Sequence, residues 1–158
     1  MIILGIDPGI HGAIGVLGDP RGAVVVDMPG NPHDIIGELR WWAGAEPILN
    51  TFAVIEKQNA RPGQGVSSTF QTGYGYGGLI YALAALSIPY EEVTPASWKQ
   101  RMGLTKASKE ETPAQSKARS RAMARQLWPA VEFKRVKDHG AAEALLIAED
   151  YRRRRTQA

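Results

Sequence analysis

The stretch Met1–Ala13, MIILGIDPGIHGA, predicts how the fold begins: a strand, a turn and the start of a second strand. Residues 2–6 are mostly of the β-branched and aliphatic type that is typical of a buried strand. Asp7 ends that run, and the residues from Pro8 to Gly12 predict a turn into a second strand. A carboxylate at the end of an apolar strand is costly unless a cation meets it. Asp7 therefore either caps the turn through hydrogen bonds or binds a metal ion together with acids from elsewhere in the chain.

The composition is that of an ordinary globular chain. With 158 residues, 44% of them hydrophobic and 22% charged, we expect one domain over residues 1–158, with a flexible basic tail from about residue 152. No apolar run reaches 18 residues and the start lacks a secretory pattern, so we expect a cytoplasmic protein. The absence of cysteine excludes disulfides, thiolate zinc sites and cysteine catalysis.

The charge is unevenly distributed along the sequence. Residues 98–137 hold eleven Lys and Arg against three Glu, a balance of +8, whereas the whole chain carries only +3. The remainder is therefore net acidic, although it includes four consecutive arginines at positions 152–155. A basic segment beside acidic strand ends indicates a polyanionic partner, and a merely solvated surface is the alternative.

Apolar runs predict five strands, near residues 2–6, 13–17, 23–28, 51–56 and 89–93. Short turns join the first three into an antiparallel meander. Asn31 and Pro32 predict the start of a helix before the fourth strand, which should therefore lie parallel to the first. Glu56 ends the fourth strand as Asp7 ends the first, so both acids should meet at one edge of the sheet. The fold class is α/β, a five-stranded mixed sheet flanked by helices.

Three helices, besides a short one that begins with residues 95–99, should follow the fourth strand's loop. The first is capped by Ser67 or Ser68, the second covers about 113–127, and the third runs from about 138 to 151. The expected packed positions are Trp41 and Trp42 before the fourth strand, then Phe70, Gly73, Gly77, Ile80, Tyr81 and Ala84, and later Ala118, Ala122 and Leu127. The glycines at 73–78 resemble a dinucleotide-binding motif but do not follow a strand, which argues against that function.

The last helix supplies further acids. His139 and Glu143 are four residues apart and share a helix face, and Asp138 lies at its first turn. A glutamate among alanines and leucines indicates a partner cation, because an unpaired buried carboxylate is unfavourable. Together with Asp7 and Glu56, these residues would hold two divalent ions, with His139 as a further ligand or a general base. Singly, Glu143 could instead pair with a Lys or Arg, Asp138 cap the helix, and His139 be exposed.

Four segments in this order resemble the RuvC-like Holliday junction resolvases of the RNase H-like superfamily: residues 3–9 (ILGIDPG), 53–57 (AVIEK), 93–99 (VTPASWK) and 138–148 (DHGAAEALLIA). The first alone is weak, because actin-like ATPases also begin with an Asp-Gly strand turn. The set spans almost the whole chain and is similar to small phage or bacterial members, and a phage-encoded member would act in the cytoplasm of its bacterial host. It implies an RNase H-like fold and a crossover junction endodeoxyribonuclease of DNA recombination and repair.

The resemblance also implies a homodimer that binds four-way junction DNA and makes paired symmetric nicks with two Mg²⁺ or Mn²⁺ ions per active site. One ion would activate water and the other stabilise the leaving 3′ oxygen. The implied metal ligands are Asp7, Glu56, Asp138 and Glu143, and His139 joins them as a catalytic residue. The resemblance and the basic segment together name these DNA-binding candidates: Lys57, Arg61, Phe70, Lys99, Lys106, Lys109, Lys117 and Arg121.

The sequence departs from the family pattern in two places. The last two acidic ligands of the family are usually three residues apart, whereas Asp138 and Glu143 are five apart, so either Asp138 or His139 takes the third position. The aromatic wedge that often follows the second acid is replaced by Asn59 and Ala60, and the nearest aromatic residue is Phe70. Two other functions remain open: a non-cleaving nucleic-acid-binding protein of the same fold, and a nuclease that cuts RNA in RNA–DNA hybrids.

Overall fold

The computed structural model describes residues 1–158 except positions 21, 45–49, 61, 107, 134–137 and 158. The strands are β1 (Ile2–Asp7), β2 (Ala13–Asp19), β3 (Gly22–Asp27), β4 (Thr51–Glu56) and β5 (Tyr90–Val93). The helices are α1 (Pro32–Ala43), α2 (Val66–Ala85), α3 (Pro95–Arg101), α4 (Pro113–Leu127) and α5 (His139–Thr156). Within the described part of the chain, no helix is both long and apolar enough to cross a membrane.

The sheet has the predicted mixed topology. Its strand order is β3-β2-β1-β4-β5, with β1–β2 and β2–β3 antiparallel and β1–β4 and β4–β5 parallel. Ile6 of β1 pairs with Ile55 of β4, so the next residues, Asp7 and Glu56, end the two parallel strands side by side. The edge predicted to collect acids therefore exists, because the meander and the crossover through α1 fix both strand directions.

Each face of the sheet has its own apolar core. Leu4 and Ile6 of β1 pack with residues of α1 and α2 on one face. Ile3, one position away, belongs to the core on the other face, which also contains residues of α3, α4 and α5. This alternation is the period of two that a strand buried on both faces requires.

Helix α5 lies unusually close to the central strands. Gly5 of β1 and Gly15 of β2 are register partners, and neither has a side chain to hold the helix away. A Cβ atom added to Gly5 would lie 2.0 Å from the carbonyl oxygen of Ala144, and one added to Gly15 would lie 2.6 Å from the nitrogen of Leu145. The helix is consequently buried from residue 140 to residue 151. Its backbone packs closely against the backbones of β1 and β2.

The start of α5 is fixed against the loop that follows β1. A Cβ atom added to Gly140 would lie 2.2 Å from the carbonyl oxygen of His11, so only glycine allows this approach. The contact places the first turn of α5 beside the end of β1, where Asp7 lies.

Several packing predictions for α2 and α1 were wrong. Gly65, with no side-chain cap, precedes α2 instead of Ser67 or Ser68, and the buried residues of α2 are Leu79, Ala82 and Leu83. Of the predicted face, Phe70 is 66% exposed, Tyr81 is 78% exposed, Ala84 is exposed, and Gly73 and Gly77 have no atom within 4 Å of an added Cβ. Leu79, Ala82 and Leu83 lie on a different face of the helix and pack with strand residues in one of the two cores. Trp42 is buried but Trp41 is 72% exposed, since adjacent helical residues point about 100° apart.

The predictions for α4 and the C-terminus also need correction. The bounds of α4 are as predicted, but Ser120 and Ala124 are its buried residues, while Ala118 and Ala122 are exposed and Leu127 is only partly covered. The tail from residue 152 is the last turn of α5, which continues to Thr156. It is helical because its arginines pair with acids, as described below.

Candidate active site

Asp7 and Glu56 end neighbouring parallel strands and face different environments. The backbone N–H of Gly9 donates to Oδ1 of Asp7 at 3.3 Å, the turn-capping contact that was the simpler expectation for this residue. Glu56 is buried, and the indole N–H of the fully buried Trp98 donates to its Oε2 at 2.7 Å. Gln58 reaches the other oxygen of Glu56 only at 3.4 Å. Helix α3, which begins two residues after β5, thus supplies a neutral donor to the acid at the end of β4.

Glu143 projects from the first turns of α5 towards α3 and α4. Its Oε1 accepts a hydrogen bond from the ammonium of Lys99 at 2.8 Å and another from the hydroxyl of Ser120 at 3.0 Å. Glu143 and Ser120 are both buried, and Lys99 is half-buried with its ammonium 5.1 Å from the centre of the Trp98 ring. The Lys99–Glu143 pair is the ion pair that was left open as an alternative to metal binding.

The three carboxylates act on one another. Burial and then the charge of Glu143 raise the pKa of Asp7, against smaller lowering effects from Gly9, His139 and Lys99. Burial raises the pKa of Glu56 to about 7, and the charges of Asp7 and Glu143 add to this rise although the Trp98 hydrogen bond opposes it. Asp7, Glu56 and Glu143 therefore lie within electrostatic reach of each other, with Lys99 as the cation that influences both of the shifted acids.

This donor set suits a hard divalent cation in its chemistry. Three carboxylates share one lysine, and carboxylate oxygens are the ligands that Mg²⁺ and Mn²⁺ prefer. In the described residues, however, no group of three or more histidine, aspartate or glutamate side chains is arranged to hold a metal ion. Glu143 and Glu56 each have one oxygen bonded to a buried donor, Ser120 and Trp98 respectively.

The other two predicted catalytic residues lie at the start of α5. His139 is its first residue and is half-buried, and its charge lowers the pKa of Asp7. Asp138 is the buried residue before the helix and makes no side-chain cap. It lines an open cavity of about 510 Å³ together with Val25, Asp27 and Glu132. The choice between Asp138 and His139 as the third ligand remains a prediction.

The predicted DNA-binding residues differ in exposure. Lys57, Lys106, Lys109 and Lys117 are exposed, Lys99 and Arg121 are partly buried, and Phe70 is exposed near the start of α2; Arg61 lies outside the described residues. The loop between α3 and α4 is held by Arg119, which bonds to the carbonyl oxygens of Gly103 and Thr105 and to the buried Glu111. Helix α4 is therefore bonded to the loop that precedes it within the basic segment.

Sequence reasoning missed two residues that contact the acids. Trp98 was noted only within a resembling segment, and nothing in the sequence tied its indole to Glu56, 42 positions earlier. Ser120 was placed on a basic helix whose apolar side was assigned to the wrong residues. Ser120 itself was the signal that could have been used, because a serine on the buried side of a helix needs a hydrogen-bond partner for its hydroxyl.

A scan against protein-family models gives no match, and a search of curated proteins gives none either. Among solved structures, the chain is similar to T. thermophilus RuvC in complex with Holliday junction substrate, with 18% identity and a TM-score of 0.64 over 98% of this chain and 96% of that chain. It is also similar to another Thermus thermophilus RuvC structure, with 20% identity and a TM-score of 0.60 over 99% of this chain and 98% of that one. The predicted RuvC-like, RNase H-like fold is thereby confirmed.

Proposed function

We propose that this protein is a divalent-cation-dependent endonuclease that resolves four-way DNA junctions by paired nicks. The observation that carries the proposal is the group of Asp7, Glu56 and Glu143 at the carboxyl-end edge of β1 and β4, with Lys99 beside them. The fold supports it, since one of the similar structures is a resolvase bound to a Holliday junction. We therefore take four-way junction DNA as the substrate.

The roles of the residues follow from their positions. Asp7, Glu56 and Glu143 would hold Mg²⁺ or Mn²⁺, with Asp138 or His139 completing the set. Divalent cations at such carboxylates supply activated water and stabilise the leaving oxygen of a phosphodiester. Lys99 forms an ion pair with Glu143 at 2.8 Å and offsets part of its charge, and we propose that its ammonium also contacts a phosphate of the DNA. Trp98 and the apolar core beneath it keep water away from one side of Glu56.

The exposed lysines supply a phosphate-binding surface. Lys106 and Lys109 lie in the loop that Arg119 anchors, and Lys117 lies on α4, the helix that reaches Glu143 through Ser120. Cations on the element that also contacts the acids would bring the DNA backbone to the reactive edge. Such contacts position the substrate but do not read its sequence.

A homodimer would provide two active sites for two nicks, and α2 offers a surface for it. This 20-residue helix contains no charged residue, and Val66, Phe70, Tyr74 and Tyr81 are all exposed on it. The glycines between them leave room for close approach of another helix. We propose that the α2 surfaces of two copies pack together, and that Phe70, at the start of the helix, also lies near DNA.

The proposed dimer is tested by sedimentation, which should show a dimer for the wild type and a shift towards monomer for Tyr81→Asp. A monomeric wild type would contradict the proposed dimer.

The proposed activity is tested by incubating the protein with a labelled four-way junction and Mg²⁺. We expect symmetric paired nicks that disappear with EDTA and in the Asp7→Asn and Glu56→Gln variants. Trp41→Phe, an exposed change far in sequence from the site, is the matched control and should cut as the wild type does. Equal cutting by the acid-to-amide variants, or no cutting in any divalent metal, would refute the proposal.

A non-cleaving DNA-binding protein is the second candidate, and a specific observation favours it. Oε1 of Glu143 is occupied by Lys99 and Ser120, and the described residues hold no group arranged for a metal ion. This function predicts salt-sensitive junction binding with no nicks. An enzyme that cuts RNA in hybrids would share the acids and the fold, so digestion of a hybrid duplex and a junction side by side separates the two nucleases.

A further inference from the structure

We propose that Ser120 of α4 and Trp98 of α3 are positioning residues that each hold one oxygen of an active-site glutamate, so that the other oxygen faces the cation site. The inference rests on the proposed function and deepens it. It assigns a second task to the two helices of the basic segment, beyond binding DNA.

The two glutamates are held in the same manner. Trp98 donates to Oε2 of Glu56 at 2.7 Å, and Ser120 donates to Oε1 of Glu143 at 3.0 Å. Both donors are neutral and buried, with exposures of 0% and 1%. A neutral donor in a dry environment fixes the orientation of a carboxylate without cancelling its charge, so Trp98 does not offset the charge of Glu56; on Glu143 the ammonium of Lys99 joins Ser120 and offsets part of the charge.

In each glutamate, the carboxylate oxygen that the buried donor does not bond is the one left for a ligand. Lys99 and Ser120 both bond to Oε1 of Glu143, and within the described residues Oε2 has no hydrogen bond. The second oxygen of Glu56 has only the long 3.4 Å contact from Gln58. Each glutamate thus has one oxygen that its buried donor does not hold, and the proposal assigns that oxygen to the cation.

These contacts also explain a buried serine on a basic helix. Ser120 lies three residues after Lys117, so one turn of α4 carries an exposed lysine and, on its inner side, the hydroxyl that holds Glu143. A movement of α4 would therefore change the orientation of Glu143. Partners of metal-binding side chains typically contribute about 10- to 100-fold to metal affinity.

The test measures binding of Mn²⁺ alone to the full chain, by the electron paramagnetic resonance signal of the free ion. We expect Ser120→Ala and Trp98→Phe to raise the half-saturating Mn²⁺ concentration about tenfold while the number of ions bound at saturation stays the same. The controls are Ser116→Ala, one turn earlier on α4, and Trp41→Phe, an exposed tryptophan; both should bind Mn²⁺ as the wild type does. A purely structural role would lower the number of ions bound and leave the affinity unchanged.

Ser120→Ala alone decides the matter if Trp98→Phe does not fold, because alanine suits a buried helical position. Affinity within twofold of the wild type for Ser120→Ala would overturn the proposal, as would the absence of Mn²⁺ binding to the wild type. Junction cleavage is measured separately. If Mn²⁺ binds as expected but no junction is cut, the proposed nuclease activity fails and the positioning role stands.

Discussion

Helix α5 buries acidic side chains at both of its ends, and the two ends balance that charge differently. Near the C-terminus, Glu149 bonds to Arg152 at 2.7 Å and to Arg153 at 2.9 Å, while Asp150 forms a two-point pair with Arg101 at 2.7 Å. Burial opposes the charge of Glu149, but the two arginines hold its pKa below the ordinary value.

Near the N-terminus of α5, the acids outnumber the basic side chain that they share. Glu143 shares Lys99 with Asp7 and Glu56, and burial raises the pKa of each of these two acids. The comparison separates two uses of a buried carboxylate. Acids that meet enough arginine hold the fold together, whereas acids left in excess weaken the fold and indicate a site that takes up a cation from outside.

The largest expected effect comes from the same substitution at each end of α5. If the protein is the proposed nuclease, Glu143→Gln should reduce junction cleavage on the order of 1000-fold, because it removes a carboxylate that would hold the divalent cation. Glu149→Gln, six residues along the same helix, should cut at the wild-type rate. Rates are measured on equal amounts of folded protein with Mg²⁺ in excess, and equal losses in both variants would remove the distinction.

Replacing Arg101, the partner of Asp150, should lower the free energy of unfolding. Arg101→Ala leaves Asp150 buried with only the longer 3.4 Å contact to Arg154, and we expect a loss of about 3 to 4 kcal/mol in the free energy of unfolding. Urea denaturation measures it. A loss under about 1 kcal/mol would show that the pair resembles an ordinary surface salt bridge.

Neutralising an acid near the N-terminus of α5 should raise the free energy of unfolding, whereas Arg101→Ala should lower it. The folded-state pKa of Glu56 is about 7, above its ordinary 4.5, so the folded protein takes up this proton more readily than the unfolded chain. The contribution of Glu56 to stability without divalent cations should therefore be most favourable below pH 4.5 and be lost as the pH rises through 7. At pH 8 in EDTA, Glu56→Gln should unfold at higher urea, with a gain of about 2 to 3 kcal/mol; a destabilised variant would contradict the charge excess.

The smallest effect concerns the pH dependence of the balanced end. Because the pKa of Glu149 is lowered, its contribution to stability is present above the ordinary glutamate pKa and is lost as the pH falls through the folded value. Glu149→Gln should therefore be less stable than the wild type at pH 7, and the difference should vanish in acid. Urea midpoints across the pH range measure this, and a difference independent of pH would show that the arginine pairs do not depend on the charge.

The sequence predicted what depends on local pattern. The apolar runs with terminal acids, the turn after Asp7 and the Asn31 cap gave the mixed sheet and brought Asp7 and Glu56 to one edge. It did not predict what depends on close approach. The glycines at 5, 15 and 140 were not recognised as the positions where α5 contacts the sheet, because a missing side chain shows only when a neighbour is placed.

The site was predictable in part for the same reason. Topology alone brings Asp7 and Glu56, which end neighbouring parallel strands, to one edge of the sheet, and Glu143 stands out as an acid among apolar residues; the catalytic role of all three stays a prediction. The donors to two of them could not be predicted, since Trp98 and Ser120 reach Glu56 and Glu143 across 42 and 23 positions of sequence. The wrong packed faces of α2 and α4 arose because small and aromatic residues were taken as buried when larger aliphatic residues or partnered polar ones filled those positions.

The most direct test of the claim that the excess charge serves a cation is the effect of Mg²⁺ on thermal stability at pH 8. Unfolding temperatures are measured in EDTA and in millimolar Mg²⁺ for the wild type, Asp7→Asn and Glu149→Gln. We predict that Mg²⁺ raises the unfolding temperature of the wild type and of Glu149→Gln but not that of Asp7→Asn. An equal rise in Asp7→Asn, or none in the wild type, would contradict the account.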